Sequence, residues 1–454
     1  MSGLAAAIRL AMFDRRVVVL ERHDVWGGLN SFYQFRGHQF DVGLHAMTNW
    51  APRGAKGLPL SRLLKQLRIR HEELDLHPQG YSAVSFPGAR LRFSNDFELL
   101  RSEVARAFPA QADGFDALTR AVRGFNELDL EAPQQDARPV VRRFITDPLL
   151  QDMLFCPLMF YGSAREHDMD WDQFVVMFKS IFLEGFARPA AGVRHILKLL
   201  IRRLREAGAE LRLRTGVSRL LVEDGAARGV VLDNGETLMA GAVLSSAGLV
   251  ETQQLAGGAS LLPGQQPQAG RLSFTESISV LDCPARNLGI EETIVFYSDR
   301  LPFAYEQPRD DVDVSSGVIC MPGNFDLPEP PRDHLVRITN MADHGRWAAL
   351  GHGPEYSAAK QRWYAKSCAA AVPHIADFRP HVTLVDTFTP RTIRRFTGHA
   401  GGAVYGSPRK LRTGRTGIDN LYLIGTDQGF LGIVGAALSG ISMANRWVLQ
   451  GSGE

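Results

Sequence analysis

The sequence predicts an α/β fold in which a parallel sheet is assembled from segments that lie far apart in the chain. The first observation is at the start, where an apolar helical segment over residues 2–10 leads into the strand-like run 17–20. The second is the run 421–424 near the end, which has the pattern of a buried strand followed by closely spaced glycines. The third is the short apolar run 242–247, which has the length of a buried strand that rejoins the same sheet.

The N-terminal segment has the pattern of the second half of a Rossmann-like dinucleotide-binding unit. Gly3 stands at the third glycine of a G-x-G-x-x-G turn, and Glu21 follows where an acid meets a ribose hydroxyl. The first strand of such a unit and its two phosphate-contacting glycines would come before Met1. We therefore expect the sequence to begin inside the unit, through a misassigned start or by truncation.

The C-terminal segment adds a glycine-rich loop at the start of a helix. Small residues there let the backbone approach a ligand closely, and helix N-terminal N–H groups favour an anion or an electron-rich ring edge. The alternative is a glycine-rich turn that opens an ordinary packed helix. The residues of this loop and helix that carry the pattern are Gly425, Asp427, Gly429, Gly432, Gly435 and Gly440.

Composition narrows the class of protein. A chain of 454 residues is expected to form two or three lobes, and its net charge of +2 gives no support to a nucleic-acid partner. The four cysteines are far apart and form no C-x-x-C pair, which argues against a disulfide framework or a zinc site and favours a reducing cytosol. No run reaches the roughly 18 apolar residues of a membrane span, and no signal peptide precedes the first helix.

The middle of the chain predicts a second lobe with a mixed sheet. Asp96 is expected to cap a helix that runs through Phe108, and Asn234-Gly235 to form a hairpin turn. The acidic run 167–172 predicts a capped loop before a helix at 171–186, so no metal is expected there. Further helices are expected at 58–72, 192–208 and 363–372, and strands at 81–86, 90–93, 210–217, 273–281, 293–297, 317–321 and 335–340.

The order of these segments resembles the superfamily of FAD-dependent amine oxidases and phytoene desaturases over essentially the whole chain. The matching pieces are S-G-L-A-A-A-I-R-L, V-V-V-L-E-R, W-G-G, F-D-V-G, T-G-V-S-R-L and N-L-Y-L-I-G-T-D. Within the superfamily, segments 40–45, 389–392 and 402–406 resemble the branch of phytoene desaturases, carotenoid isomerases and retinol saturases.

The resemblance implies an interleaved domain organisation. Residues 1–60, 190–250 and 400–454 would form a discontinuous FAD-binding domain. Residues 61–189 and 251–399 would form the substrate-binding domain, with a helical lid at about 144–189.

By the same resemblance the cofactor is FAD, and its contacts come from both ends of the chain. Ser2 and Gly3 would approach the pyrophosphate, Glu21 would hold the adenosine ribose, and Val217 would present its backbone to the adenine. The residues implied along the path to the flavin and around it are Gly27, Gly28 and Asn30, then Gly425 and Asp427 at the ribitol and pyrophosphate, and Gly432, Ile433 and Val434 at the isoalloxazine.

The resemblance further implies an oxidoreductase that orients a long apolar isoprenoid against the flavin. A polyene has no charge or hydrogen-bonding group, so recognition would depend on an apolar tunnel. The Phe- and Met-rich stretch 144–186 could line this tunnel or form a membrane-dipping lid, and the alternative is ordinary core of the second lobe. His45 is the acid–base candidate, with a structural histidine as the alternative. Desaturation, saturation and isomerisation all stay open.

Other function classes and locations stay open as well. A flavin amine oxidase would need an aromatic cage at the flavin, for which the C-terminal motif offers only Phe430. A non-catalytic protein could keep the fold without a competent flavin site. The basic helix 192–208 could meet anionic lipid headgroups and place a cytosolic protein at the membrane surface, or it could pack on the nucleotide domain with a solvated basic face. The sequence does not indicate an oligomeric state.

Overall fold

A computed structural model describes residues 1–43, 46–126 and 133–450 of the chain. Helices and strands alternate irregularly along it, and short 3₁₀ turns join several of them. The α-helices of the described residues are α1 (Ser2–Ala11), α2 (Pro59–Leu67), α3 (Phe97–Ala107), α4 (Ala112–Gly124), α5 (Ala137–Val141), α6 (Pro148–Gly162), α7 (Trp171–Phe178), α8 (Val193–Glu206), α9 (Leu249–Leu255), α10 (His344–Ala349), α11 (Pro354–Ala371), α12 (Pro390–Thr397) and α13 (Gly432–Met443).

The strands form one large sheet and several small ones. In the same residues they are β1 (Val18–Leu20), β2 (Phe32–Phe35), β3 (His38–Asp41), β4 (Leu76–Pro78), β5 (Ser82–Phe86), β6 (Ala89–Phe93), β7 (Ala187–Pro189), β8 (Glu210–Arg212), β9 (Val217–Glu223), β10 (Ala226–Leu232), β11 (Thr237–Met239), β12 (Val243–Ser245), β13 (Ser273–Leu281), β14 (Ile294–Ser298), β15 (Val312–Cys320), β16 (His334–Ala342), β17 (Val382–Phe388) and β18 (Leu421–Leu423).

The predicted parallel strands are present, but as two separate pairs. β1 is parallel to β8, and β12 is parallel to β18. Helix α1 connects the pairs, because Ala6 and Leu10 on one of its faces pack with Ile424 next to β18, whereas Leu4 and Ile8 pack in a cluster with α8. The single sheet expected from the sequence is therefore divided, and helix packing rather than a backbone ladder joins its halves.

The predicted second lobe is confirmed as a seven-stranded mixed sheet with the order β17-β13-β16-β15-β14-β5-β6. All neighbouring strands are antiparallel except β14 and β5. The strands predicted from 81 to 93 and from 273 to 340 all lie in this sheet. The sheet also contains the edge strand β17, which the sequence did not predict. The hairpin turn at Asn234-Gly235 is also present, where it joins the antiparallel strands β10 and β11.

The apolar stretch 144–186 is core of this second lobe. It folds into α6, α7 and a π-helical turn at Lys179–Leu183. Phe155, Phe174, Phe178 and Phe182 are fully buried and belong to one hydrophobic cluster that also contains side chains of β5, β6, β13 and β14. The interpretation as ordinary core is therefore the one that the structure supports for these residues.

The basic helix α8 packs against the N-terminal helix. Its apolar side chains share a cluster with α1, α2 and α13. Three of its arginines pair with acids. Arg203 contacts Glu73 at 2.8 Å and Glu206 at 2.7 Å, Arg202 contacts Glu73 at 2.8 Å, and Arg194 contacts Asp41 at 3.8 Å. Much of the charge of this helix is therefore engaged within the protein, and its apolar face is buried against α1, α2 and α13.

Two predicted helix starts can be compared directly with the structure. Asp96 caps α3 as expected, with its carboxylate accepting a hydrogen bond from Glu98 N at 3.1 Å. Asp170 is the N-cap residue of α7 but does not cap it through its side chain, because its carboxylate pairs with Arg165 instead. In the described part of the chain, no helix combines the length and apolar character needed to cross a membrane.

Candidate cofactor-binding site

The two ends of the chain meet at Ser2. Its hydroxyl faces Gly425, the second residue after β18, where an added Cβ would lie only 2.8 Å from Ser2 Oγ. Its carbonyl faces Gly440 in α13, where an added Cβ would lie 2.1 Å from Ser2 O. Glycine at both positions permits these approaches, so the start of α1 packs directly against α13 and against the segment that follows β18.

The N-terminus of α13 has no side-chain cap. Leu431 is its N-cap residue and offers no hydrogen-bonding group. The following Gly432 has φ +71°, and an added Cβ there would lie 3.2 Å from the buried Thr48 Oγ1. Ile433 and Val434 are buried behind it. The uncapped N–H groups and the helix dipole give this point partial positive charge, which suits an electron-rich ring edge or an anion.

The loop that follows β1 contains buried polar atoms with no partner. Glu21 Oε1 accepts a hydrogen bond from His23 N at 3.0 Å, and Glu21 N donates to Arg212 O at 2.9 Å. Beyond it, His23 Nε2, Trp26 Nε1 and Ser31 Oγ are buried without a hydrogen-bond partner among the described residues. Buried polar atoms are rarely left unpaired, so this loop fits a bound polar group such as the dinucleotide part of FAD.

The other residues predicted along this path lie in the same region. Gly27, with φ +110°, precedes the 3₁₀ turn Gly28–Asn30, and Asn30 N donates back to Gly27 O at 2.9 Å. Val217 begins β9, just after Thr215 N donates to Glu21 O. Near Gly3 an added Cβ would meet Ser246 Oγ at an ordinary 3.9 Å, so the tight helix contact is at Gly440 and not at Gly3.

Asp427, the predicted ribitol and pyrophosphate ligand, is buried among protein partners. Its carboxylate is 2% exposed and accepts hydrogen bonds from Leu249 N at 2.6 Å and Ser407 N at 2.8 Å. Lys410 Nζ lies 3.3 Å from Oδ1; burial lowers the pKa of Lys410, and Asp427 opposes that effect. A direct bond to the cofactor would therefore have to share the carboxylate with these partners. Asp427 holds three loops together at the end of β18.

The acid–base candidate His45 lies outside the described residues, so its geometry is not described. Asp41, four residues earlier, is 1% exposed in its side chain and accepts a hydrogen bond from Arg188 Nη2 at 2.6 Å. Burial alone would raise the pKa of Asp41, but the guanidinium groups of Arg188, Arg194 and Arg337 outweigh it and lower the pKa. Asp41 is therefore held as a carboxylate.

A second buried charge pair continues from this point into the large sheet. Arg337 on β16 pairs with Glu276 on β13, and its Nη2 donates to Val42 O at 3.0 Å. Arg337 is 1% exposed and Glu276 is 7% exposed. The segment after β3 is thus tied to β7 through Arg188 and to the seven-stranded sheet through Arg337.

Apolar side chains of the second lobe extend to the start of α13. Leu431 belongs to the same hydrophobic cluster as Phe160, Phe274 and Tyr305, and Tyr405 packs against it. Tyr405 OH donates to Phe160 O at 2.5 Å and Tyr305 OH to Ser163 O at 3.0 Å, while burial raises the pKa of both phenols. The wall beside the start of α13 is therefore apolar, and its tyrosines stay neutral.

Several residues of this site were not predicted. His23, Trp26 and Ser31 lie between or next to residues that the resemblance implied, so their position in the loop was a usable signal. Thr48 gave no signal in the sequence, and it lies beside Gly432 of α13 only through the fold. The next residue, Asn49, adopts φ +63° and donates to Glu184 Oε2 at 2.9 Å.

Comparison with known proteins identifies the family and the fold. The sequence profile of flavin-containing amine oxidoreductases matches residues 1–447. The chain is 24% identical to prolycopene isomerase 2 of an Oncidium hybrid cultivar over 98% of this chain and 81% of that protein. It is 27% identical to a neurosporene-forming phytoene desaturase of Cereibacter sphaeroides over 54% of this chain and 51% of that protein.

A solved structure with the same fold is an oxidoreductase from Methanosarcina mazei. It aligns with a TM-score of 0.67 and 18% sequence identity, and 98% of each chain is covered. At this identity the likeness concerns the fold alone.

Proposed function

The chain belongs to the family of flavin-containing amine oxidoreductases, and from this premise we propose that it is an FAD-dependent oxidoreductase acting on a long apolar isoprenoid. The reaction class is desaturation or isomerisation of a carotenoid-like polyene. The proposed cofactor unit comprises residues 1–60, 190–250 and 400–454, and the proposed substrate unit comprises 61–189 and 251–399 with the helical region 144–189.

One observation carries the proposal: an uncapped helix N-terminus and an apolar wall meet at Leu431 and Gly432. The α13 N-terminus supplies partial positive charge where the flavin ring is proposed to lie. On the other side, Leu431 joins the aromatic cluster of the second lobe, which suits a hydrocarbon. The names of the isomerase and desaturase relatives, both of which refer to polyenes, support the same substrate class.

We propose that the residues of this chain bind and orient FAD and the substrate, and that they do not themselves transfer hydride. When bound, FAD supplies the acceptance or donation of hydride. We propose that Ser2, Gly3 and the loop containing His23 and Trp26 hold its phosphates and ribose. Tyr305 and Tyr405 keep their protons at neutral pH because burial raises their pKa, so they exclude water without acting as bases. An acid–base role for His45 rests on the sequence motif and is tested with His45→Gln.

The cofactor site is tested with two tryptophan variants that each lose one N–H. Trp26 Nε1 has no partner in the described residues, whereas Trp447 Nε1 donates to Thr413 O at 2.9 Å. Trp26→Phe should weaken FAD binding by about two- to tenfold, the value of one hydrogen bond, and leave the stability of the FAD-free protein unchanged. Trp447→Phe should leave FAD binding unchanged and lower the stability of the FAD-free protein, because it removes a hydrogen bond within the protein. Equal FAD affinity in wild type and Trp26→Phe would show that the Trp26 N–H does not bind FAD.

The substrate class is tested with the FAD-loaded protein and two kinds of compound. Phytoene and a poly-cis carotene, dispersed in detergent, are followed by absorption spectrum and mass, and putrescine is followed by hydrogen peroxide release. Loss of two hydrogens per step indicates desaturation, and a spectral change at constant mass indicates isomerisation. Turnover of the amine without turnover of either polyene would overturn the proposal in favour of an amine oxidase.

A further inference from the structure

A group of arginines surrounds an open pocket that the proposed reaction does not use. The pocket has a volume of about 340 Å³ and is lined by Arg22, His344, Ala348, Arg391, Arg394 and Arg395. Three separate segments build it: the loop after β1, helix α10 and helix α12. Every charged side chain that lines it is basic.

The arginines are held near one another by packing and not by acids. In the described residues, none of the four guanidinium groups has a carboxylate within salt-bridge distance. Arg391 lies 4.7 Å from the centre of the Tyr356 ring, donates to Gly351 O, and has its Nη2 atom 2.6 Å from His352 Nε2. Arg22 lies against Gly398, where an added Cβ would be 3.0 Å from Arg22 Nη2. The nearby Asp343 is occupied by Gln307 and by Arg346 N.

Ordinary helix electrostatics accounts for only part of this cluster. Arg394 and Arg395 lie in the last turn of α12, where the helix dipole favours cations. Arg391 lies in the first turn, where the dipole disfavours a cation, and the i,i+3 and i,i+4 spacing places it on the same face as the other two. Arg22 comes from a different segment altogether. The pKa of His344 is lowered by its burial and by Arg394 and Arg391, against Asp343.

We propose that this pocket binds a phosphate group of a second ligand, distinct from the cofactor. Several converging guanidinium groups match the planar, bidentate hydrogen bonding that phosphate oxygens accept. A bound phosphate would relieve the repulsion among the four cations. The phosphate could belong to a soluble phosphorylated compound or to an anionic lipid headgroup, since both present the same chemistry to the pocket.

The experiment measures binding of inorganic pyrophosphate to the FAD-saturated protein by calorimetry. Arg394→Gln/Arg395→Gln should weaken binding at least about tenfold, because charge-assisted hydrogen bonds are lost. The matched control is Arg219→Gln/Arg228→Gln, which removes the same charge from two exposed arginines of β9 and β10 and should leave binding unchanged. Circular dichroism checks that both variants are folded.

Three outcomes would overturn the proposal. They are absence of pyrophosphate binding to the wild type, equal loss in the control variant, and binding that occurs only in the FAD-free protein, which would assign the arginines to the cofactor. If the proposal holds, co-sedimentation with phosphatidylglycerol vesicles shows whether the phosphate group belongs to a lipid headgroup or to a soluble compound. Weaker vesicle binding in the Arg394/Arg395 variant indicates a lipid headgroup, and unchanged vesicle binding indicates a soluble phosphate.

Discussion

The contact between α1 and α13 allows a sharp test, because a single methyl group should separate the two ends of the site. An added Cβ at Gly440 would lie 2.1 Å from Ser2 O, 2.8 Å from Ser2 C and 3.1 Å from Ser2 Cα. These are backbone atoms, so no side-chain rotation can relieve the clash. In Gly440→Ala the helices would have to move apart by about 1 Å to reach ordinary van der Waals contact.

The expected cost follows from two opposing effects. Alanine is favoured over glycine inside a helix by about 1 kcal/mol. Overpacking of a close contact costs about 1–3 kcal/mol, and a backbone clash belongs at or above the upper end. We expect a net loss of about 2 kcal/mol in the free energy of unfolding. Because Ser2 moves with α1, FAD affinity should also fall by about tenfold or more.

The assay is urea unfolding of the FAD-free protein together with FAD titration followed by absorbance. Gly124→Ala is the matched control, since Gly124 ends α4 and an added Cβ there has no heavy atom within 4 Å. It should be neutral or slightly stabilising and should bind FAD normally. If Gly440→Ala matches the control in both measurements, the helices do not approach as closely as described and the reasoning is refuted.

Two further predictions concern the buried charges next to the site. Arg337→Met removes a guanidinium that pairs with the buried Glu276 carboxylate and should cost up to about 3–5 kcal/mol in the free energy of unfolding. Arg337→Met/Glu276→Met should recover part of this loss, and no recovery in the double variant would contradict the pairing. Asp41→Asn tests the lowered pKa of Asp41: the ionised group contributes stability above its unfolded-state pKa and loses it as the pH falls through the lower folded-state pKa. The difference in the free energy of unfolding between wild type and Asp41→Asn should therefore be constant near neutral pH and should decrease in the acid range. A difference independent of pH would argue against the ion pairs.

Local signals in the sequence predicted the positions of most helices and strands, but they did not predict how the strands pair into sheets. Asp96 as N-cap and Asn234-Gly235 as hairpin turn depend on neighbouring residues only, and both are confirmed. The parallel strands were also located, yet their division into two pairs depends on how α1 packs between them. Strand β17 was missed because it lies between a 3₁₀ turn and α12 and has no clean alternation of apolar and polar residues.

Clusters formed by distant residues carry no sequence signal at all. Asp282, Cys283 and His381 place one ligand atom each within 4.8 Å of one another, although spacing along the chain argued against a metal site. The pocket of Arg22 and α12 is a similar case, because Arg22 lies far from Arg391 in sequence. In the cofactor site, by contrast, Gly425 and Gly432 were predictable, since close backbone approach requires glycine wherever the partner comes from.

The segment Phe40–Gly43, which carried part of the resemblance, acts as a joint between the two lobes. Asp41 binds Arg188 at β7, Val42 O accepts from Arg337 in the large sheet, and Gly43 N donates to Leu29 O at 2.8 Å in the turn on the flavin path. An added Cβ at Gly43 would lie 2.7 Å from Leu29 O, so the residue type is required by the close contact. These bonds connect the turn Gly28–Asn30 with β7 and with the seven-stranded sheet, so a shift at any one of them would be passed on to the other elements. We therefore expect the motif to act by fixing the relative position of these elements, whichever side chain moves the proton.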